Sequence, residues 1–135
     1  MNIKIVLCNC KGLCQSFKDS DFNTLPFELE SGLDLKYAVL HPQLCGQGGN
    51  EILGDIFRES AKDPDTYIVI GACAPEAQAK LFQKLLRKTG FDPKRFVPVD
   101  IRGTNNEGIL AAVGEKVAAL VREHEGAAAG MPTSR

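Results

Sequence analysis

Three short runs along the chain are almost unbroken in apolar and β-branched residues: Ile3–Leu7, Tyr37–His41 and Tyr67–Ile70. Strands covered on both faces of a parallel sheet read this way. Between them the apolar positions recur at helical spacing. Ile52, Leu53, Ile56 and Phe57 form one stripe behind Asn50, which suits an N-cap, with Glu51 in the first turn. Leu81, Phe82, Leu85 and Leu86 form the next, with Pro75 as first helical residue and Gly90 as the stop. Arg95–Ile101 reads as a fourth strand, and Pro98 within it suits a sheet edge. A last helix is expected from Asn105 to Arg122, with Ile109, Val113, Val117, Leu120 and Val121 on one side. The weakest pattern lies in residues 15–35, where Thr24–Phe27 opens a short helix that stops at Gly32.

This alternation implies an α/β fold: an open, mostly parallel four-stranded sheet with helices on both faces, a flavodoxin- or Rossmann-like three-layer arrangement. One domain is expected over residues 1–124. Small and polar residues dominate 125–135, which reads as a flexible tail.

Composition narrows the function. At 135 residues the chain can bury a core without disulfide support. Its net charge of -1 and lack of basic blocks leave no footprint for nucleic acid or an anionic membrane. No apolar run approaches the roughly 20 residues that span a bilayer, and Met1–Val6 lacks the features of a signal peptide. A cytoplasmic location is therefore expected. Thiols stay reduced there, so the five cysteines read as ligands, redox groups or core residues rather than disulfides.

Their positions sharpen that reading. Cys8 and Cys10 follow the first strand within LCNCKGLC, Cys45 follows the second within LCGQGGN, and Cys73 follows the third within GACAPE. In a parallel sheet all these strand ends share one rim, where such folds bind ligands. Any one cysteine is readily a buried small hydrophobe, and Cys8 alone reads equally as the last core residue of its strand. The set is harder to explain that way, because the loop cysteines have little core to fill. Helices starting after Cys45 and Cys73 would turn free N–H groups and positive dipole ends toward the thiols. Gly46, Gly48 and Gly49 would let the backbone approach a bulky anionic group, and Lys11 and Arg102 would add charge.

Converging thiolates suit an iron–sulfur cluster, [4Fe–4S] or [2Fe–2S], or a zinc ion. The spacing C-x-C-x3-C followed by two single cysteines matches neither zinc-finger nor ferredoxin runs, and there is no C-x-x-C. His41 reads as a structural histidine and His124 as a solvated one. CGQGG lacks the Walker lysine, and no G-x-G-x-x-G is present, so nucleotide binding is not expected.

The segments IVLCNCKG, LCGQGGNEIL, IVIGACAPEAQAKLFQKLLRKTGFDPKRF and VDIR resemble the N-terminal domain of heterodisulfide reductase A over about residues 3–122. The resemblance implies an α/β domain whose iron–sulfur cluster exchanges electrons with a partner subunit, and a [4Fe–4S] cluster is expected here. Carried over by position, it implies Cys8, Cys10, Cys45 and Cys73 as ligands. A weaker resemblance, to the delta subunit of methyl-viologen-reducing hydrogenase, favours Cys10 and Cys14 over Cys8. Cys14 is thus the alternative fourth ligand. Heterodisulfide reductase A continues into flavin and ferredoxin-like parts that this sequence lacks, so the implied partners are separate flavin or iron–sulfur proteins of a redox complex.

The resulting expectation is an electron-transfer component of a heterodisulfide-reductase-like oxidoreductase, with no catalytic residue and no turnover alone. The alternative is a zinc-stabilised or metal-free adaptor that only binds partners. Docking is expected on loops 11–16, 43–49 and 102–106, joined by small residues around Ala111, Ala112 and Ala118.

Overall fold

A computed structural model describes residues 1–9 and 20–129 of the chain. Strands β1 (Asn2–Cys8), β2 (Tyr37–His41), β3 (Thr66–Ala72) and β4 (Phe96–Asp100) alternate with helices α1 (Leu25–Gly32), α2 (Gln47–Ala61), α3 (Pro75–Thr89) and α4 (Asn106–Ala129). A 3-10 turn, Pro93–Arg95, leads into β4. The strands form one sheet in the order β2-β1-β3-β4, and every pairing is parallel. This is the expected open α/β arrangement.

Alternation along the strands builds a core on each face of the sheet. Ile3, Ile5 and Leu7 join Val69, Val97 and Val99 beneath Leu25 and Leu29 of α1 and Ile109, Val113 and Val117 of α4. Val6 and Cys8 join Ile68, Ile70 and Ala72 on the other face, beneath Leu53 and Phe57 of α2 and Phe82 and Leu86 of α3. Side chains one residue apart in a strand point to opposite faces, so β1, β3 and β4 serve both layers. Strand β2, expected to be covered on both faces, lies instead at the sheet edge and gives Ala38 and Leu40 to one layer. Gly71 is needed within β3, since a Cβ there would press on Leu7 and Ile101.

Several features differ from expectation. Helix α2 starts at Gln47 with extended Gly46 as N-cap, not behind Asn50. Asn50 lies one turn inside, where its amide donates instead to Leu44 O at 2.7 Å. Helix α4 runs to Ala129, past Arg122 and into the segment read as a flexible tail. Its alanines, the strongest helix formers, explain the extension; the remainder of that tail lies outside the described residues. The expected small-residue face on α4 is divided: Ala112 packs against the core while Ala111 and Ala118 are exposed.

The chain leaves β1 through α1 toward β2 on one side, then returns through α2 to β3 on the other. The carboxyl ends of β1 and β3 therefore flank the topological switch point, the crevice where open α/β sheets bind ligands. Among the described residues, no helix is long and apolar enough to cross a membrane.

Candidate functional site

Cys8 ends β1 and pairs in register with His41, the last residue of β2. Its side chain is 5% exposed. The sulfur accepts the Leu44 N–H at 3.4 Å and donates to Pro42 O at 3.8 Å, joining β1 to the loop after β2. That loop is braced further. Gln43 N donates to His41 Nδ1 at 3.0 Å, Gly46 N donates to Gln43 O at 3.1 Å, and Asn50 holds Leu44 O. His41 is thus the structural histidine that was expected.

The bracing presents Cys45 outward. It is exposed and directly precedes Gly46, the N-cap of α2. Cys73 follows β3 and directly precedes Ala74, the N-cap of α3. Both thiols therefore stand where a helix begins. First-turn amides have no acceptor within their own helix, and their dipoles favour negative charge. Pro75, at the start of α3, provides no N–H, so the contribution there comes from fewer donors.

The loop glycines divide by role. A Cβ on Gly49 would overlap the Gln43 carbonyl and Leu44 Cα, so this glycine exists for the close approach of helix and loop. A Cβ on Gly46 would touch only the Gln43 side chain, and one on Gly48 would meet nothing. Gly48 alone leaves its backbone open to an approaching group.

Burial pushes the Cys73 thiol above its ordinary value, with Cys8 and Cys45 adding repulsion, while a backbone hydrogen bond and Arg102 pull the other way. Cys73 therefore feels Cys8 and Cys45 across the rim. The help from Arg102 is shared, because its Nε and Nη2 each bond Asp100 at 3.0 Å. Those bonds hold the Asp100 carboxyl below the usual carboxylate range.

Behind Cys73 lies a residue absent from the expectations drawn on the sequence. Gln78 is 0% exposed; its Nε2 donates to Cys73 O at 2.7 Å and Val99 O at 3.2 Å. Its Oε1 is buried without a hydrogen-bond partner. The signal was available: Gln78, Phe82 and Leu86 are the buried positions of α3, and one of the three is polar.

The structure thus brings Cys8, Cys45 and Cys73 to one rim. Cys10, Cys14 and Lys11 lie outside the described residues. Among the described residues, no three His, Cys, Asp or Glu side chains draw together tightly enough to hold a metal ion. No known protein family and no curated protein matches the chain.

Proposed function

We propose that this domain is an iron–sulfur electron-transfer component of a heterodisulfide-reductase-like oxidoreductase complex. The observation that carries the reading is the arrival of Cys8, Cys45 and Cys73 at one rim from three separate strands, two of them at helix starts. The donor set fits the group: all are thiols, the preferred ligands of iron–sulfur clusters. Cys10 completes the set with Cys8, Cys45 and Cys73, and Cys14 is the alternative to Cys8. Two of these five cysteines lie outside the described residues, and the described ones alone do not assemble a ligand group. Occupancy therefore depends on the segment after β1.

A bound [4Fe–4S] cluster would supply one-electron chemistry. The protein's part is to supply thiolates, stabilise them with the helix starts, and exclude water on the side where Cys8 is buried. Neither acid nor base is required of any residue, and the partners are flavin or iron–sulfur subunits. The resemblance to the N-terminal domain of heterodisulfide reductase A supports the same reading.

One observation favours a second function. Each face of the sheet has its own buried core, and hydrogen bonds to Cys8 and Asn50 brace the loop bearing Cys45. A metal-free adaptor that binds partner subunits is consistent with this, whereas a structural zinc ion would have little to hold up. The visible spectrum of anaerobically purified chain separates the readings. A broad thiolate-to-iron band bleached by dithionite supports the carrier; a chain without iron or that band after reconstitution supports the adaptor.

A further inference from the structure

We propose that the groove between α2 and α3 is the docking site for an acidic partner protein, and that docking there brings the partner to Cys45. The groove encloses about 500 Å³, with exposed Cys45 at one end. Its walls carry Arg58, Leu81, Lys84, Leu85 and Lys88, and among the described residues Glu51 is its one lining carboxylate.

The charge is local. The whole chain has a net charge of -1, yet α3 carries Lys80, Lys84, Arg87 and Lys88 against the single carboxylate Glu76. Arg87 and Lys88 stand in the last turn, where cations offset the negative helix end. Arg58 likewise stands in the last turn of α2 across the groove, so Lys84, a turn earlier on α3, is the groove cation that helix ends leave unexplained. Arg58 is held by Asp55 on its own helix at 2.9 Å, whereas Lys84 and Lys88 form no ion pair among the described residues.

The groove also offers an apolar anchor. Leu81 is 48% exposed. Leu85 lies against Gly54 of α2, whose missing side chain lets the helices approach closely. Apolar area flanked by unpaired cations fits an acidic segment with one large apolar side chain. Its carboxylates would steer the encounter, and the anchor would slow release. What docking achieves, electron transfer near Cys45, rests on the carrier reading; the docking does not.

The test uses the full ¹⁵N-labelled chain as purified, with acidic flavodoxin and basic cytochrome c as probe proteins. Flavodoxin should shift backbone amides within 45–58 and 81–88 in about 50 mM salt, and the shifts should vanish in about 300 mM. Combined Lys84→Glu and Lys88→Glu substitution should weaken binding about tenfold. Lys116→Glu with Arg122→Glu, on α4 across the sheet from the groove, should leave it unchanged. Cytochrome c should leave the groove amides unmoved. Shifts centred elsewhere, equal losses in both charge variants, no flavodoxin binding, or self-association through the groove would each overturn the proposal. The absorption spectrum of the same sample reports separately whether a cluster is present.

Discussion

The side-chain amide of Gln78 donates to the carbonyl of Cys73 at 2.7 Å while fully buried on the first turns of α3. A second bond from the same nitrogen reaches Val99 O, so one side chain fastens the β3–α3 turn to β4. Replacing Gln78 by Leu should keep the volume but remove both bonds, to the buried Val99 carbonyl and the half-buried Cys73 carbonyl, at a cost of about 1–3 kcal/mol by chemical denaturation. Gln78→Glu should be worse near neutral pH, because a buried carboxylate would face those carbonyls. Its defect should ease in acid, where a protonated Glu can donate. Equal stability of the Leu variant and the parent would refute the clamp.

The paired glycines of α2 should behave oppositely. Gly49→Ala forces a Cβ into the backbone at Gln43 and Leu44, so the loop carrying Cys45 must shift. A loss of roughly 1–3 kcal/mol is expected, as for overpacked cores. Gly48→Ala meets nothing and should stabilise the helix by a few tenths of a kcal/mol up to about 1. Thermal melts of the two variants decide the matter.

Cys73 should ionise late in metal-free chain. Burial raises its thiol above the ordinary value, so alkylation by iodoacetamide, followed by peptide mass analysis, should accelerate only at correspondingly higher pH. Arg102→Ala removes a group that lowers the thiol and leaves Asp100 without its guanidinium, so the profile should move further upward. The sign carries over to stability. The fold holds this proton more tightly than the unfolded chain does, so the contribution is complete below the unfolded thiol value and disappears as pH rises through the folded one. A Cys73 profile below that of free cysteine would contradict this account.

The fourth ligand can be tested directly. An N–H donated to sulfur, as Leu44 donates to Cys8, supports a ligating thiolate. We expect Cys8→Ser to lose the electron paramagnetic resonance signal of reduced, reconstituted chain, and to melt at a lower temperature than the parent without metal. Cys14→Ser should keep the signal. If only the Cys14 variant loses it, the assignment to Cys8 is wrong.

Much of the fold was readable because the two inner runs, Ile3–Leu7 and Tyr67–Ile70, are covered on both sides and carry little polar interruption. Tyr37–His41 has the same apolar pattern but forms an edge strand, with Ala38 buried and Val39 exposed. Pro98 marked the edge strand, and Pro75 and Gly90 bounded α3, the latter with φ of 73°. The start of α2 was missed because Asn50 has the chemistry of an N-cap; only the third dimension reveals that its amide is engaged by Leu44 O. The end of α4 was missed because GAAAG reads as a loop by its small residues, although alanine extends helices. At the site, strand order made the shared rim of Cys8, Cys45 and Cys73 legible. Gln78 was not, since hydrogen bonds to the carbonyls of Cys73 and Val99 leave no local pattern beyond one polar residue on an apolar stripe. The docking charge was also hidden, because Arg58 and Lys84 meet across a groove and not along the sequence.

The most direct test of the central claim is iron and sulfide content, measured with the visible spectrum, in anaerobically reconstituted parent, Cys45→Ala and Cys73→Ala chains. The account predicts about four iron atoms per parent chain with a dithionite-bleached band, and loss or conversion of the cluster in each variant. A parent chain that takes up no iron, or variants with unchanged iron and spectrum, would contradict it.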